Sequence, residues 1–133
     1  MQNFDVQGIE LAVPALRAWR TIADPDLLPN WTNAFREIRA GRALLETPSG
    51  AVPIGLEVRS SETHGTVDWN MSFPDGSVAT ACSRVVPLDA RRSVYTFVLL
   101  PPPVPLEQLE GTLTAQSKTL AQELLRLKEL VER

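Results

Sequence analysis

The chain has 133 residues, 44% of them apolar, with 13 basic and 16 acidic side chains and a net charge of -3. That is the size of one domain with enough apolar residues for a core. Its charges are spread without a basic block, which argues against nucleic acid or an anionic membrane surface as a partner. No apolar run approaches the roughly 20 residues of a membrane-spanning helix. The start, MQNFDVQG, lacks the basic-then-apolar pattern of a signal peptide, so a cytoplasmic protein is expected. Cys82 is the single cysteine, which excludes an internal disulfide, and with His64 as the single histidine no transition-metal set is expected. No phosphate loop, nucleophile elbow or dinucleotide fingerprint is present, and no cofactor is expected.

Ile9, Leu11 and Val13 share one parity within residues 4–13, the expected first strand. Pro14 suits a first helical position, where its missing N–H is no loss. Leu16, Trp19, Arg20 and Ile22 follow helical spacing, with Trp19 and Ile22 facing inward. Asp24-Pro25 ends that helix. Asp26 to Trp31 reads as a second short helix, which Asp24 can cap. Residues 35–46, FREIRAGRALLE, are ambiguous. Propensity favours a helix with Arg36, Arg39 and Arg42 near one face; the shared parity of Ile38, Ala40, Arg42 and Leu44 suits a strand. Gly41 costs stability in either.

Thr47 to Gly50 is a turn. Ile54, Leu56 and Val58 then alternate with polar or small residues, as in a half-buried strand. Ser60 to Gly65 turns the chain. Val67, Trp69, Met71 and Phe73 alternate with Thr66, Asp68, Asn70 and Ser72, the cleanest period-two signal in the sequence. Pro74-Asp75-Gly76 is a hairpin turn. The next strand, Ser77 to Val86, sets Ala79, Ala81 and Ser83 against Val78, Thr80, Cys82 and Arg84. After a turn at Leu88 to Arg91, Ser93 to Leu100 is an apolar strand with Tyr95 and Phe97. Pro101 to Pro105 is a stiff extended connection. From Pro105 to Arg133, Leu106, Leu109, Leu113, Leu120, Leu124, Leu127 and Val131 recur at helical spacing. Such a helix is roughly 40 Å long. Laying it across an antiparallel meander of about five strands is the simplest way to bury its leucines, giving an α+β domain.

The segment VPALRAWRTIADPDLLPNW, residues 13–31, resembles the opening of the START-like, pollen-allergen-like (SRPBCC) superfamily. The matching positions are Pro14, Trp19, Asp24 and Trp31. Trp69, the Pro74-Asp75-Gly76 hairpin, the Arg84-Val85-Val86-Pro87-Leu88 strand end and the closing LLRLKELVE of residues 124–132 are similar to the same family. The resemblance covers essentially residues 1–133 as a single domain and is nearest the bacterial polyketide cyclase/dehydrase-like branch. It implies a helix-grip fold: a curved antiparallel sheet wrapped around the C-terminal helix, two short helices after the first strand, and a deep apolar cavity between sheet and helix. It also favours the strand reading of residues 35–46. Family members bind lipids, sterols, hormones and polyketides, and some cyclise polyketide chains. The family's cyclases carry an arginine soon after the mid-sheet tryptophan, whereas Asn70, Met71 and Ser72 follow Trp69 here. That departure tilts the expectation toward binding.

The long helix is rich in leucine from Leu120 onward and poor in it before. Gly111, Thr112, Thr114, Ala115, Gln116 and Ser117 crowd its first half. Gly111 alone costs about 1 kcal/mol relative to alanine. This half is expected to roof a pocket, with Leu113 on it and Gln116 or Ser117 offering a hydrogen bond; a solvent-facing polar patch is the plain alternative. Trp69, Met71, Phe73, Tyr95 and Phe97 are expected to line the cavity, or to be ordinary core. Arg42 and Arg84 stand at strand positions whose parity can face inward, where an arginine needs an anion; snorkelling to solvent is the alternative. Asn70 and Arg84 complete the polar set expected to orient a ligand. His64 is expected in an exposed turn beside Glu62, and Cys82 as a small buried residue rather than a nucleophile. Three functions remain open. One is binding of a small hydrophobic, lipid- or polyketide-like molecule. Another is a cyclase or dehydratase using Arg84, Tyr95 or His64. The last is an interaction module with a filled core. Unpaired sheet edges leave room for a homodimer.

Overall fold

A computed structural model of the protein describes residues 4–32, 35–47, 50–101 and 106–133, and all of their side chains except those of 46, 47 and 106–116. Strand β1 (Asp5–Leu11) leads through Pro14 into helix α1 (Ala15–Ala23). Pro14 is the cap rather than the first helical residue, one position earlier than expected. The Asp24 carboxylate accepts from Asp26 N at 3.0 Å and starts a short 3-10 turn, Pro25–Leu27. Helix α2 (Leu28–Trp31) follows directly.

The ambiguous segment is two strands, β2 (Phe35–Arg39) and β3 (Arg42–Thr47). Ala40 at φ 41° and Gly41 at φ 81° join them. Two central residues at positive φ define the turn whose twist matches a two-residue hairpin. Gly41 is therefore the reason the segment folds back, not a weak point in one strand. Strands β4 (Gly50–Ser61), β5 (Thr66–Ser72), β6 (Val78–Pro87) and β7 (Ser93–Leu100) continue the meander, and helix α3 (Leu106–Glu132) closes the chain. In the turn before β6, Asp75 Oδ1 accepts from both Ser77 N and Ser77 Oγ, at 2.9 and 2.6 Å, which holds the carboxyl below the usual aspartate range.

The described strands form one seven-stranded antiparallel sheet in the order β1-β7-β6-β5-β4-β3-β2. It is curved, with α3 along its concave side, and no described helix is long and apolar enough to cross a membrane. Helix α1 packs on β5, β6 and β7, and α3 on β1, α1 and α2. Leu120, Leu124, Leu127 and Val131 of α3 are buried with Leu11, Ala18, Ile22 and Leu28. Leu106, Leu109 and Leu113 lie outside the described side chains. Lys128 Nζ donates to Glu10 O, and Glu132 accepts from Ala12 N at 3.0 Å, so the end of α3 is fastened to the end of β1.

Candidate ligand-binding face

Alternation in the strands decides which side chains turn to the helix side of the sheet. On β5 the inward residues are Val67, Trp69 and Met71; on β7 they are Ser93, Tyr95 and Phe97. Between them runs β6, whose inward residues are Ala79, Ala81, Ser83 and Val85. Ala81 pairs with Trp69 on one side and Leu99 on the other; Ser83 pairs with Val67 and Phe97. With only small side chains on β6, rings from the flanking strands lean over it and touch. Trp69 and Phe97 have centroids 5.9 Å apart, Phe97 and Tyr95 6.4 Å, and Trp31 at the end of α2 meets Trp69 edge-on at 6.4 Å. Trp31, Trp69, Phe97 and Tyr95 thus form one continuous aromatic run across the concave face. Phe73 is half-buried at its margin.

Three of these four rings carry a polar handle. Trp31 Nε1, Trp69 Nε1 and Tyr95 OH are all buried, and none has a hydrogen-bond partner among the described residues. Ser83, whose hydroxyl donates to Val67 O, stands near the Tyr95 hydroxyl but outside hydrogen-bond geometry. Leaving a buried donor unsatisfied costs about 1–3 kcal/mol, and most buried polar groups avoid it. The contrast is Trp19, whose Nε1 donates to Thr66 O at 3.1 Å. Burial also pushes the Tyr95 hydroxyl well above the ordinary tyrosine range, so it stays protonated and able to donate.

Other expected site residues lie elsewhere. Asn70 has the opposite parity to Trp69 and sits on the outer face, where its Oδ1 accepts from Thr80 Oγ1 at 3.0 Å. Arg84 is exposed on the outer face of β6, and its Nε donates to His64 O at 3.2 Å. Arg42 is exposed too. Both arginines face out because the inward parity of β6 is its alanines and Ser83, and that of β3 includes Ala43. Arg42 instead borders an open groove of about 510 Å³ with Gly41, Pro53, Ile54, Gly55, Ser72, Phe73 and Pro74. His64 is exposed in its turn, with Nδ1 3.0 Å from Ser61 Oγ. Cys82 is half-buried on the outer face rather than in the core; burial, aided by the nearby Asp68 charge, pushes its thiol up and keeps it neutral. Leu113 and Gln116 lie outside the described side chains. Ser117 is half-buried on the sheet side of α3, where its Oγ accepts from Gln7 Nε2 at 3.0 Å.

Sequence reasoning passed over Trp31 as a lining residue, and Asp5 and Gln7 altogether. The signal for the last two was present: they share the parity of Ile9 and Leu11, yet are polar.

No protein-family model and no curated protein matches this sequence. Among solved structures, the chain is similar to the Zhui aromatase/cyclase from Streptomyces, at 12% identity and a TM-score of 0.78 over 98% of this chain and 93% of the other. A START superfamily protein from Mycobacterium smegmatis matches at 15% identity and 0.70, over 97% and 99%. The di-domain ARO/CYC BexL matches at 15% and 0.77, over 98% of this chain and 47% of the larger protein. The fold is the START-like helix grip. At these identities the likeness is one of fold, and function rests on this chain's own residues.

Proposed function

We propose that this protein binds a small, largely apolar, polyketide-like or aromatic molecule between the concave face and the first half of α3. The observation that carries this reading is the aromatic run with three buried donors that no described protein group satisfies. A flat apolar ligand with carbonyl oxygens would stack on the rings and accept from the donors. Ligand sites are typically apolar with a few placed polar groups. Solved structures named as START and aromatase/cyclase proteins share the fold, which agrees with this use of the face. A cytoplasmic location is part of the same proposal.

Two of the three tryptophans, Trp31 and Trp69, stand in the run, so intrinsic fluorescence reports on it directly. Titration with a tricyclic quinone should give saturable one-to-one quenching, and Trp69→Phe should weaken binding about tenfold. Native mass spectrometry of the purified protein, with analysis of its organic extract, should show a stoichiometric apolar compound. No saturation with the quinone and no extracted compound would favour a filled core serving protein interaction.

Cyclisation of a polyketide chain in the same space is a second reading, favoured by Tyr95. A hydroxyl that burial keeps protonated can donate to a carbonyl oxygen as it gains negative charge. His64 and Arg84 take no part in it, since both lie on the outside. Turnover of a short poly-β-ketone into an aromatic product, lost in Tyr95→Phe while binding persists, would establish this activity; binding without turnover would leave the protein a binder.

A further inference from the structure

The aromatic run offers donors. Across the sheet, on β1, the inward polar groups are acceptors. Asp5 is only 6% exposed, and no cation pairs with it among the described residues. Among the described residues its two side-chain hydrogen bonds both come from Gln7 Nε2, at 3.3 and 3.4 Å, beyond the usual range for such bonds. The same nitrogen donates to Ser117 Oγ of α3 at 3.0 Å. An amide nitrogen has two protons, so the Gln7 side chain has no donor left, while its Oε1 accepts from no described residue. A carboxylate has room for about four hydrogen bonds, and Asp5 receives a share of one nitrogen.

Register places this cluster against the rings. Gln7 is opposite Phe97 and Asp5 opposite Leu99. In the strand order β1-β7-β6-β5, three inter-strand steps lie between Gln7 and Trp69. At about 4.8 Å each they span roughly 14 Å, the scale of a three-ring molecule with its substituents.

Building on the binding reading above, we propose that Asp5, Gln7 and Ser117 form the end of the site that takes a hydroxyl donor. The ligand is then a neutral hydroxylated aromatic ketone or quinone, with its hydroxyl toward β1 and its carbonyl toward Trp31, Trp69 and Tyr95. A ligand carboxylate is refused at that end, because it would meet the Asp5 carboxylate out of water.

The test uses the full chain and three tricyclic quinones that differ only at one terminal ring: a hydroxyl, its methyl ether and a carboxylate. Binding is read by tryptophan quenching and calorimetry at mildly acidic pH, where the phenol is neutral. The hydroxyl compound should bind about tenfold more tightly than the ether, as one charge-assisted hydrogen bond provides, and the carboxylate least. Asp5→Asn should cut the hydroxyl preference to about threefold, leave the ether unchanged and gain affinity for the carboxylate. A gain cannot come from misfolding. Gln7→Leu, checked for an unchanged melting temperature, should also reduce the hydroxyl preference. Equal binding of hydroxyl and ether, or an unchanged preference in Asp5→Asn, overturns the polar end while the aromatic site stands. Tighter binding of an aminomethyl analogue than of the hydroxyl compound overturns it in favour of a cation. If none of the quinones binds, the aromatic site falls and this proposal with it.

Discussion

Ser93 and Tyr95 are neighbouring inward positions on β7, and both are 0% exposed. Ser93 belongs to the lower seam, where α3 and α1 close on the sheet, and its hydroxyl donates to Val13 O at 3.0 Å. Tyr95 belongs to the aromatic run, and its hydroxyl donates to no described group. Water is excluded equally at the two sites, so burial does not distinguish them. Hydrogen bonding does. The lower seam is closed by the protein's own groups; the aromatic run leaves its donors without an acceptor among the described residues.

The largest effect should come from the self-sufficient region. Leu127→Ala removes a side chain that is 0% exposed and should cost about 2–5 kcal/mol. Its chemical denaturation midpoint should fall while quinone affinity of the folded protein stays the same; a loss of affinity in step with stability would break the separation between the regions. Next is the pair of hydroxyl deletions. Ser93→Ala leaves Val13 O unsatisfied and should cost about 1–3 kcal/mol, whereas Tyr95→Phe removes an orphan and should be neutral or stabilising by up to about 1 kcal/mol. Equal losses in the two variants would mean that Tyr95 is satisfied after all.

A smaller effect sharpens the contrast with pH. Tyr95 is the only tyrosine, so tyrosinate absorbance reports on it alone. Burial raises its folded-state value above the ordinary 10.0. The folded chain then holds the proton after the unfolded chain has lost it, so stability is intact below about pH 10 and falls as pH rises further. Tyrosinate should form only as the protein unfolds, and Tyr95→Phe should lack this component of the alkaline loss. At the acid end the effect is smallest. The Ala12 N–H, then Lys128, hold the Glu132 carboxyl below its ordinary 4.5. That contribution is present above the ordinary value and is lost as pH falls through the lowered one, and Glu132→Gln should remove it from an acid titration of stability.

How much of this was legible in the sequence depends on what each residue had to signal. Period-two alternation placed Trp69 and Met71 inward with no further help, because polar and apolar residues share β5 cleanly. On β6 the same rule was silent: Val78, Thr80 and Cys82 look no less suited to a core than Ala79, Ala81 and Ser83. The smaller set turned inward because neighbouring rings fill the volume above it, and Arg84 went outward with the other. That is a tertiary fact, invisible to a single strand. The β2–β3 hairpin failed for a local reason, since Ala40-Gly41 is not among the common pairs for such a turn. Asp5 and Gln7 were readable from their parity with Ile9 and Leu11, but two polar residues at the start of a strand do not by themselves tell a buried cluster from a solvated edge.

The first strand of the chain is seated beside the last: Asp5 pairs with Leu99, 94 positions away in a chain of 133. Every other strand pairing joins consecutive strands. Pairings of short separation close their loops cheaply and form early, while distant ones wait. During synthesis the meander can zip as it emerges, but β1 has no place to dock until β7 has been made. The acceptors on β1 therefore cannot reach the aromatic run until β7 has been made, and Ser117 joins them only with α3 after it, so a nascent chain presents no finished site to trap a ligand prematurely.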